Sequence, residues 1–146
     1  MKLRQAKEDL ELSKSTVSQL INVWINFLYF QIKEINIWPE KSIVQKNMPS
    51  NFKSAFPTTR VVLDATEIPV SKPQNVVAQS MTFSTYKNKT TLKTIIGCSP
   101  RGLVSYLSDS YGGSASDRQI IERSTLVNNN MFESKDSIMA DRGIMV

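Results

Sequence analysis

The amino-acid sequence predicts an α/β fold in which a helical N-terminal segment precedes a mixed sheet. In the first quarter of the chain, apolar residues recur at steps of three and four, which is the helical period. After residue 60 the pattern changes to short β-branched and apolar runs separated by turn residues, which is typical of strands. With 146 residues, 40% hydrophobic and 21% charged, the chain has the size of one globular domain with a small addition. We predict a helical segment at 1–38, a connector at 39–59 and a sheet domain at 60–146.

The helical segment has the pattern of two helices joined by a short turn. We predict a polar helix at residues 3–12, an N-cap at Ser13, and then one long helix with an apolar stripe that Trp24 anchors, ending before Pro39. A helix-turn-helix presents its second helix to the DNA major groove in this way. Three hydroxyl residues at the start of that helix are therefore candidate DNA contacts: Ser15, Thr16 and Ser18. The alternative is an amphipathic helix that only packs.

Four strands are predicted in the sheet domain, at residues 61–63, 91–98, 103–107 and 137–140. The turn at 99–102 contains proline and glycine and joins the second and third strands into a hairpin. Ser116 begins a helix that continues through Leu126 and closes at 128–130. Because this helix is a crossover connection, the fourth strand should lie parallel to one of the others. The result is a mixed sheet built from a three-strand meander, a crossover helix and a fourth strand.

Two aspartates, Asp64 and Asp141, each follow an apolar strand. Ligand groups gather at the carboxyl ends of parallel strands in α/β sheets, and two carboxylates on neighbouring strands would repel each other. A divalent cation, Mg²⁺ or Mn²⁺, removes that conflict and could support phosphodiester cleavage. The alternative is that Asp64 caps a turn and Asp141 pairs with Arg142 or a lysine.

The composition excludes several kinds of chemistry. There is no histidine, which rules out catalytic triads with a histidine base, histidine-ligated zinc and histidine proton shuttles. The single cysteine, Cys98, allows no internal disulfide and fits a reducing compartment. The longest apolar stretch, at residues 23–30, is far shorter than the ~20 residues of a membrane span, so we expect no membrane partner.

Positive charge is concentrated in one part of the chain. Between Glu67 and Asp109 there is no acidic residue, and the basic residues there carry as much charge as the net +5 of the whole chain. These residues are Lys72, Lys87, Lys89, Lys93 and Arg101. A segment of one sign attracts a polyanion, and lysines beside Tyr86 suit phosphates and bases. We therefore predict DNA as a partner, with Lys87, Lys89 and Lys93 as contacts, and a solvated loop as the alternative.

A series of short motifs makes the chain recognisable. In chain order they are Trp38-Pro39, Met48-Pro49, Phe52-Lys53, Phe56-Pro57, Leu63-Asp64-Ala65-Thr66-Glu67-Ile68, Thr85-Tyr86-Lys87, Ile96-Gly97-Cys98-Ser99-Pro100-Arg101-Gly102, Tyr111-Gly112-Gly113, Ser116-Asp117 and Ala140-Asp141-Arg142-Gly143. In this order and spacing they resemble the Harbinger-like DDE superfamily endonucleases, a transposase-derived family. Residues 12–24 are similar to the transposase helix-turn-helix that precedes that domain.

The resemblance implies a ribonuclease H-like fold, of which this chain would be the N-terminal part, a divalent-metal-dependent reaction on DNA, and a nuclear location. It implies that Asp64 is the first metal-binding aspartate. The predicted parallel strands favour Asp141 as the second, and Asp117, which opens the crossover helix, is the alternative. The family also has a third carboxylate on a later helix, and this sequence has no acidic residue after Asp141. We therefore expect a fragment that lacks the third carboxylate.

Three functions remain open from the sequence. The first is a DDE-type, metal-dependent DNA endonuclease domain of transposase descent, with Asp64 and Asp141 as catalytic ligands. The second is a non-catalytic DNA-binding protein derived from a transposase. The third is an inactive fragment whose long helix packs against a second copy of the chain or a partner protein.

Overall fold

The computed structural model of the protein describes residues 12–128 and 131–144. The predicted first helix at 3–12, apart from Leu12, and the asparagines at 129 and 130 lie outside the described residues. The chain divides into two compact units, residues 1–36 and residues 37–146. Among the helices of the described residues, none combines the length and the apolar character needed to cross a membrane.

The described part of the N-terminal unit contains the helix α1 (Lys14–Lys33). It begins as predicted at Ser13, whose hydroxyl accepts a hydrogen bond from the backbone N–H of Thr16 at 3.1 Å. It ends at Lys33, with Glu34 as the C-cap, earlier than predicted. The prediction that Trp24 anchors the helix is wrong, because Trp24 is 57% exposed while Val17 is buried. Large apolar residues lie all around α1, so its periodicity does not single out one buried face.

The segment predicted as a connector contains two short helices, α2 (Lys41–Lys46) and α3 (Ser50–Ala55). Val44 and Met48 are buried, so the segment packs as part of the C-terminal unit. Its prolines suggested irregular chain in the sequence. In the structure Pro39 and Pro49 stand just before the first turns of these helices, where proline is tolerated.

The described part of the C-terminal unit has one mixed sheet of six strands. They are β1 (Thr59–Pro69), β2 (Phe83–Ser84), β3 (Lys89–Cys98), β4 (Val104–Leu107), β5 (Tyr111–Gly112) and β6 (Ser137–Ala140). The order is β2-β3-β1-β6, and β4 and β5 also pair with β3. β3 is antiparallel to β1 and β4, whereas β6 is parallel to β1. The predicted meander, hairpin and parallel fourth strand are confirmed, while β2 and β5 were not predicted.

β1 is longer than predicted. It continues to Pro69, so Asp64 lies inside the strand and not at its end. The antiparallel pairing with β3 extends from Val62 to Pro69 and supports these additional residues.

Three more helices are described: α4 (Val76–Thr82), α5 (Asp117–Arg123) and α6 (Thr125–Asn128). α4 was not predicted. Ser116 begins α5 as predicted and forms a capping box with Gln119. The predicted single crossover helix is interrupted at Ser124, whose extended backbone (ψ 155°) separates α5 from α6. A 3-10 turn at Arg142–Ile144 follows β6.

The hydrophobic core lies on one face of the sheet, under α5 and α6. Its buried residues are Val61, Leu63, Ile95, Tyr106, Ile120, Ile121, Leu126 and Ile144. Side chains alternate between the two faces along a strand. The face of β1 that carries Leu63 is therefore covered, and the face that carries Asp64 is the more exposed one.

Candidate metal centre and nucleic-acid interface

Asp64 and Asp141 follow matching positions on neighbouring parallel strands. The last pair between β1 and β6 is Leu63 with Ala140, so the next residue on each side is an aspartate. Paired strands lie ~4.8 Å apart, and both aspartates are exposed. The carboxylate of Asp64 accepts a hydrogen bond from the backbone N–H of Ala65 at 2.8 Å. The topology makes these backbone positions neighbours, and their role as metal ligands stays a prediction.

Asp117, the alternative second ligand, belongs to the other side of the sheet. It is the first residue of α5, which packs on the core face through Ile120 and Ile121. Asp64 points to the opposite face, because it follows the buried Leu63 in the strand. The sheet geometry therefore favours Asp141 over Asp117 as the partner of Asp64.

Asp117 instead forms an ion pair with Lys93. The ammonium of Lys93 lies 3.0 Å from Asp117 Oδ1 and 3.6 Å from Glu67 Oε1, and the Lys93 side chain is only 13% exposed. The charge of Lys93 is thus enclosed between two carboxylates, which argues against a DNA contact there, and DNA contact by Lys93 stays a prediction. Asp117 is the first residue of α5, directly after the N-cap Ser116.

Glu67 is a buried acidic residue that was not among the predicted site residues. Its carboxylate is almost fully buried and accepts a hydrogen bond from the Thr91 hydroxyl at 2.7 Å. Burial raises the pKa of Glu67, but hydrogen bonds from Thr91 and Ser84 and the charge of Lys93 outweigh it and hold that pKa below its usual value. The sequence contained a sign of this burial: Glu67 is two residues after Ala65 and four after Leu63, and in a strand these positions share the core face.

The donor set available at Asp64 and Asp141 consists of two carboxylates. In the part of the chain that the structure describes, no group of three or more histidine, cysteine or acidic side chains could hold a metal ion. Mg²⁺ prefers oxygen ligands and commonly keeps several waters while one or two carboxylates bind it. Two aspartates fit such a cation, held weakly.

The tip of the β2–β3 hairpin presents exposed basic and aromatic side chains. Tyr86 is 83% exposed, and the ammonium of Lys87 lies 4.8 Å from the centre of its ring. Lys89 is also exposed. The backbone N–H of Lys87 donates to Ser84 Oγ at 3.2 Å, and Asn88 adopts a left-handed conformation with φ 51°. The tip has a defined shape, and both lysines are accessible to a phosphate.

The candidate DNA contacts of α1 lie in its first turns. Ser15 and Thr16 are exposed and Ser18 is half-buried. The Ser13 hydroxyl oxygen lies 2.8 Å from that of Ser15 and 2.7 Å from that of Thr16. These two hydroxyls therefore already take part in the helix cap, and DNA contact by the three residues stays a prediction.

A mixed sheet with a parallel fourth strand, with α5 and α6 packed on one face and an aspartate after the last paired residue of each parallel strand, is consistent with an α/β nuclease class of fold. A family model described as DDE superfamily endonuclease matches residues 63–144, which is more than half of the chain and contains Asp64, Asp117 and Asp141. The chain belongs to this family. No curated protein and no solved structure matched the chain.

Proposed function

We propose that this chain is a transposase-derived, divalent-metal-dependent DNA endonuclease domain in which Asp64 and Asp141 hold the cation. The observation that carries the proposal is the parallel pairing of β1 with β6, because it makes the two aspartates neighbours. Both residues fall within the segment that matches the endonuclease family. Mg²⁺ or Mn²⁺ would supply an activated water and stabilise the leaving oxygen when bound.

The other parts of the proposal concern DNA and family branch. Lys87 and Lys89 contact phosphates from the exposed hairpin tip, and Ser15, Thr16 and Ser18 contact DNA from a helix-turn-helix. The motifs in the sequence favour the Harbinger-like branch, a ribonuclease H-like fold that this chain contains in part, and a nuclear location. The exposed apolar residues of α1 support packing against a second copy or a partner protein.

Thermal denaturation with and without Mg²⁺ or Mn²⁺ tests the metal site. A cation that binds only the folded state stabilises it by RT ln(1 + [L]/Kd). At ten times Kd this is about 1.4 kcal/mol, or roughly 3–6 °C in Tm. Two carboxylates without a third ligand should need cation at millimolar concentration. Asp64→Asn or Asp141→Asn should abolish the rise and leave the metal-free protein equally or more stable, because the repulsion between the carboxylates also disappears.

Asp117→Asn is the matched control for this experiment. It should lower stability, because Asp117 pairs with Lys93, but it should preserve the rise in Tm with metal. If Asp117→Asn loses the rise while Asp141→Asn keeps it, Asp117 is the second ligand and our assignment is wrong.

The second candidate function is DNA binding without chemistry. The exposed hairpin tip supports it, because Tyr86, Lys87 and Lys89 can contact DNA without a cation. Cleavage of duplex DNA that requires Mg²⁺ or Mn²⁺ and is lost in Asp64→Asn would favour the endonuclease. Duplex binding without cleavage, unchanged in Asp64→Asn, would favour the binding protein.

A further inference from the structure

The pairing of β1 with β6 contains a β-bulge at Arg60. Thr59 pairs with Ser137, but the next pair is Val61 with Ile138. Arg60 is thus an extra residue on β1 that has no partner in the ladder. A bulge of this kind shifts the register of every later pair by one residue.

The shift decides which residue stands level with Asp64. With the bulge, Leu63 pairs with Ala140, and Asp64 is level with Asp141. Counting from Thr59 and Ser137 without the bulge, Leu63 would be level with Asp141. Because side chains alternate between faces, Asp141 would then point to the core face, opposite to Asp64. The aspartate pair therefore depends on the extra residue.

The side chain of Arg60 holds this bulge from the interior. Arg60 is only 5% exposed. Its Nη2 donates a hydrogen bond to the carbonyl oxygen of Pro39, and its guanidinium lies 5.3 Å from the centre of the Trp38 ring. Its Nε lies 3.6 Å from Asp136 Oδ2. Asp136 immediately precedes β6, so this ion pair connects the extra residue of β1 to the start of β6.

Asp136 is held from several other directions. Its side chain is 1% exposed, and its Oδ1 lies 2.7 Å from the ammonium of Lys41. Its Oδ2 accepts a hydrogen bond from the backbone N–H of Glu133 at 3.0 Å. The N–H of Ser137 donates to the carbonyl of Thr58 at 2.9 Å, and the two hydroxyl oxygens are 2.9 Å apart. A slip of β6 by one residue would disrupt the contacts on both sides of the bulge together.

We propose that Arg60 and Asp136 are positioning residues, which fix the register of β6 on β1 and thereby put Asp141 beside Asp64. They act through the strand register and do not contact the cation or DNA. That this register serves a metal site rests on the proposed function. The register itself can be measured without metal or activity.

Disulfide trapping measures the register directly. In a Cys98→Ser background, the pair Asp64→Cys and Asp141→Cys should cross-link on mild oxidation, because residues level on neighbouring strands are within disulfide reach. Adding Arg60→Met should reduce the cross-linked fraction strongly, since a slipped β6 turns residue 141 to the opposite face. Arg60→Lys, which keeps a positive charge near Asp136, should restore part of it. Leu126→Ala is the matched control: it removes buried core volume but none of the polar contacts of Arg60 and Asp136, and should leave cross-linking unchanged.

The metal-induced rise in Tm is the second readout. Residues that orient metal ligands typically change metal affinity by about 10- to 100-fold when they are replaced. Asp136→Asn, which keeps the size of the side chain, should weaken Mn²⁺ binding by that factor while the protein remains folded by circular dichroism. The Asp136→Asn variant therefore still tests the proposal if Arg60→Met does not fold.

Two results would overturn this inference: absence of the 64–141 cross-link in the Cys98→Ser background, and unchanged cross-linking in folded Arg60→Met or, if that variant does not fold, in folded Asp136→Asn. Failure of the proposed function looks different. A cross-link that forms and depends on Arg60, in a protein that Mn²⁺ does not stabilise, would support the register and refute the metal site.

Discussion

Replacing Lys93 with methionine tests whether its charge serves the fold or DNA. The change removes an enclosed positive charge and keeps most of the side-chain volume. Glu67, whose side chain is 5% exposed, would keep Thr91 as a hydrogen-bond donor but lose its cation, and Asp117 would lose its partner at 3.0 Å. Removing one partner of a buried ion pair costs about 3–5 kcal/mol. For a domain of this size we expect Tm to fall by roughly 10–20 °C.

The loss should depend on pH with a definite sign. The folded pKa of Glu67 is below its ordinary value near 4.5, although burial by itself raises it. Its ionised form therefore stabilises the fold above that ordinary value, and this contribution is lost as pH falls through the lower folded pKa. Without Lys93, the attraction and the hydrogen bond by which it lowers the pKa of Glu67 disappear, so the ionised form of Glu67 stabilises the fold less. The difference in stability between wild type and Lys93→Met should be largest near pH 7 and should shrink below about pH 4.5.

Urea denaturation at pH 7 and pH 4 measures the loss of stability and its dependence on pH. DNA binding over a salt series measures whether Lys93 contacts DNA. Lys87→Met is the matched control, because Lys87 is exposed. It should change stability by less than about 0.5 kcal/mol and lower the slope of log K against log salt by about 0.9. Lys93→Met should lower stability strongly and leave the salt slope unchanged. A Lys93→Met protein with wild-type stability and a smaller salt slope would refute our reasoning.

Three further predictions concern the cap, the core and the hairpin tip. Ser13→Ala should cost about 0.5–2 kcal/mol and reduce the helical signal in circular dichroism; an unchanged signal would argue against the cap. Trp24→Ala should cost less than about 1 kcal/mol, because the ring is 57% exposed. Ile121→Ala, at a residue 1% exposed, should cost about 2–5 kcal/mol, and equal losses in thermal melts would contradict the exposures. Lys87→Ala combined with Lys89→Ala should lower the salt slope of duplex binding by roughly 1.8; an unchanged slope would remove the tip from the interface.

The sheet topology was predictable because it follows from local patterns. β6 has the predicted bounds, and the β3–β4 turn has glycine at the residue with φ 93°. The elements that were missed depend on partners distant in sequence. β2 and β5 are two residues long and are strands only because the edge of β3 pairs with them. β1 beyond Asp64 contains the adjacent polar residues Thr66 and Glu67 and ends in proline, so its composition does not predict a strand, and its pairing with β3 makes it one.

The candidate site was predictable only to the level of neighbouring strands. The aspartates lie one residue beyond the β1–β6 ladder, as a parallel fourth strand implies. The fate of Lys93 was not predictable, because all the charged residues near it in sequence are basic. Its carboxylate partners come from the cross-strand pair Glu67–Lys93 and from α5, which packs above it. Charge along the sequence therefore overstates the charge that this segment can offer to DNA.

Two enclosed basic residues in the described part of the C-terminal unit, Arg60 and Lys93, have related structural effects. Arg60 joins β1 to the residue that precedes β6, and Lys93 joins β1 to α5 through Glu67 and Asp117. Each of these basic residues contacts a carboxylate whose ionisation burial opposes, and in each case the partners of the carboxylate outweigh burial. Asp136, for example, has a pKa below its usual value despite burial, because Lys41, the Glu133 N–H and Arg60 stabilise its charged form. Removing one partner of such a network leaves a buried charge uncompensated, so neither β6 nor α5 can shift relative to β1 at low energetic cost. The strands that carry Asp64 and Asp141 are therefore held in place by ion pairs that lie away from the two aspartates.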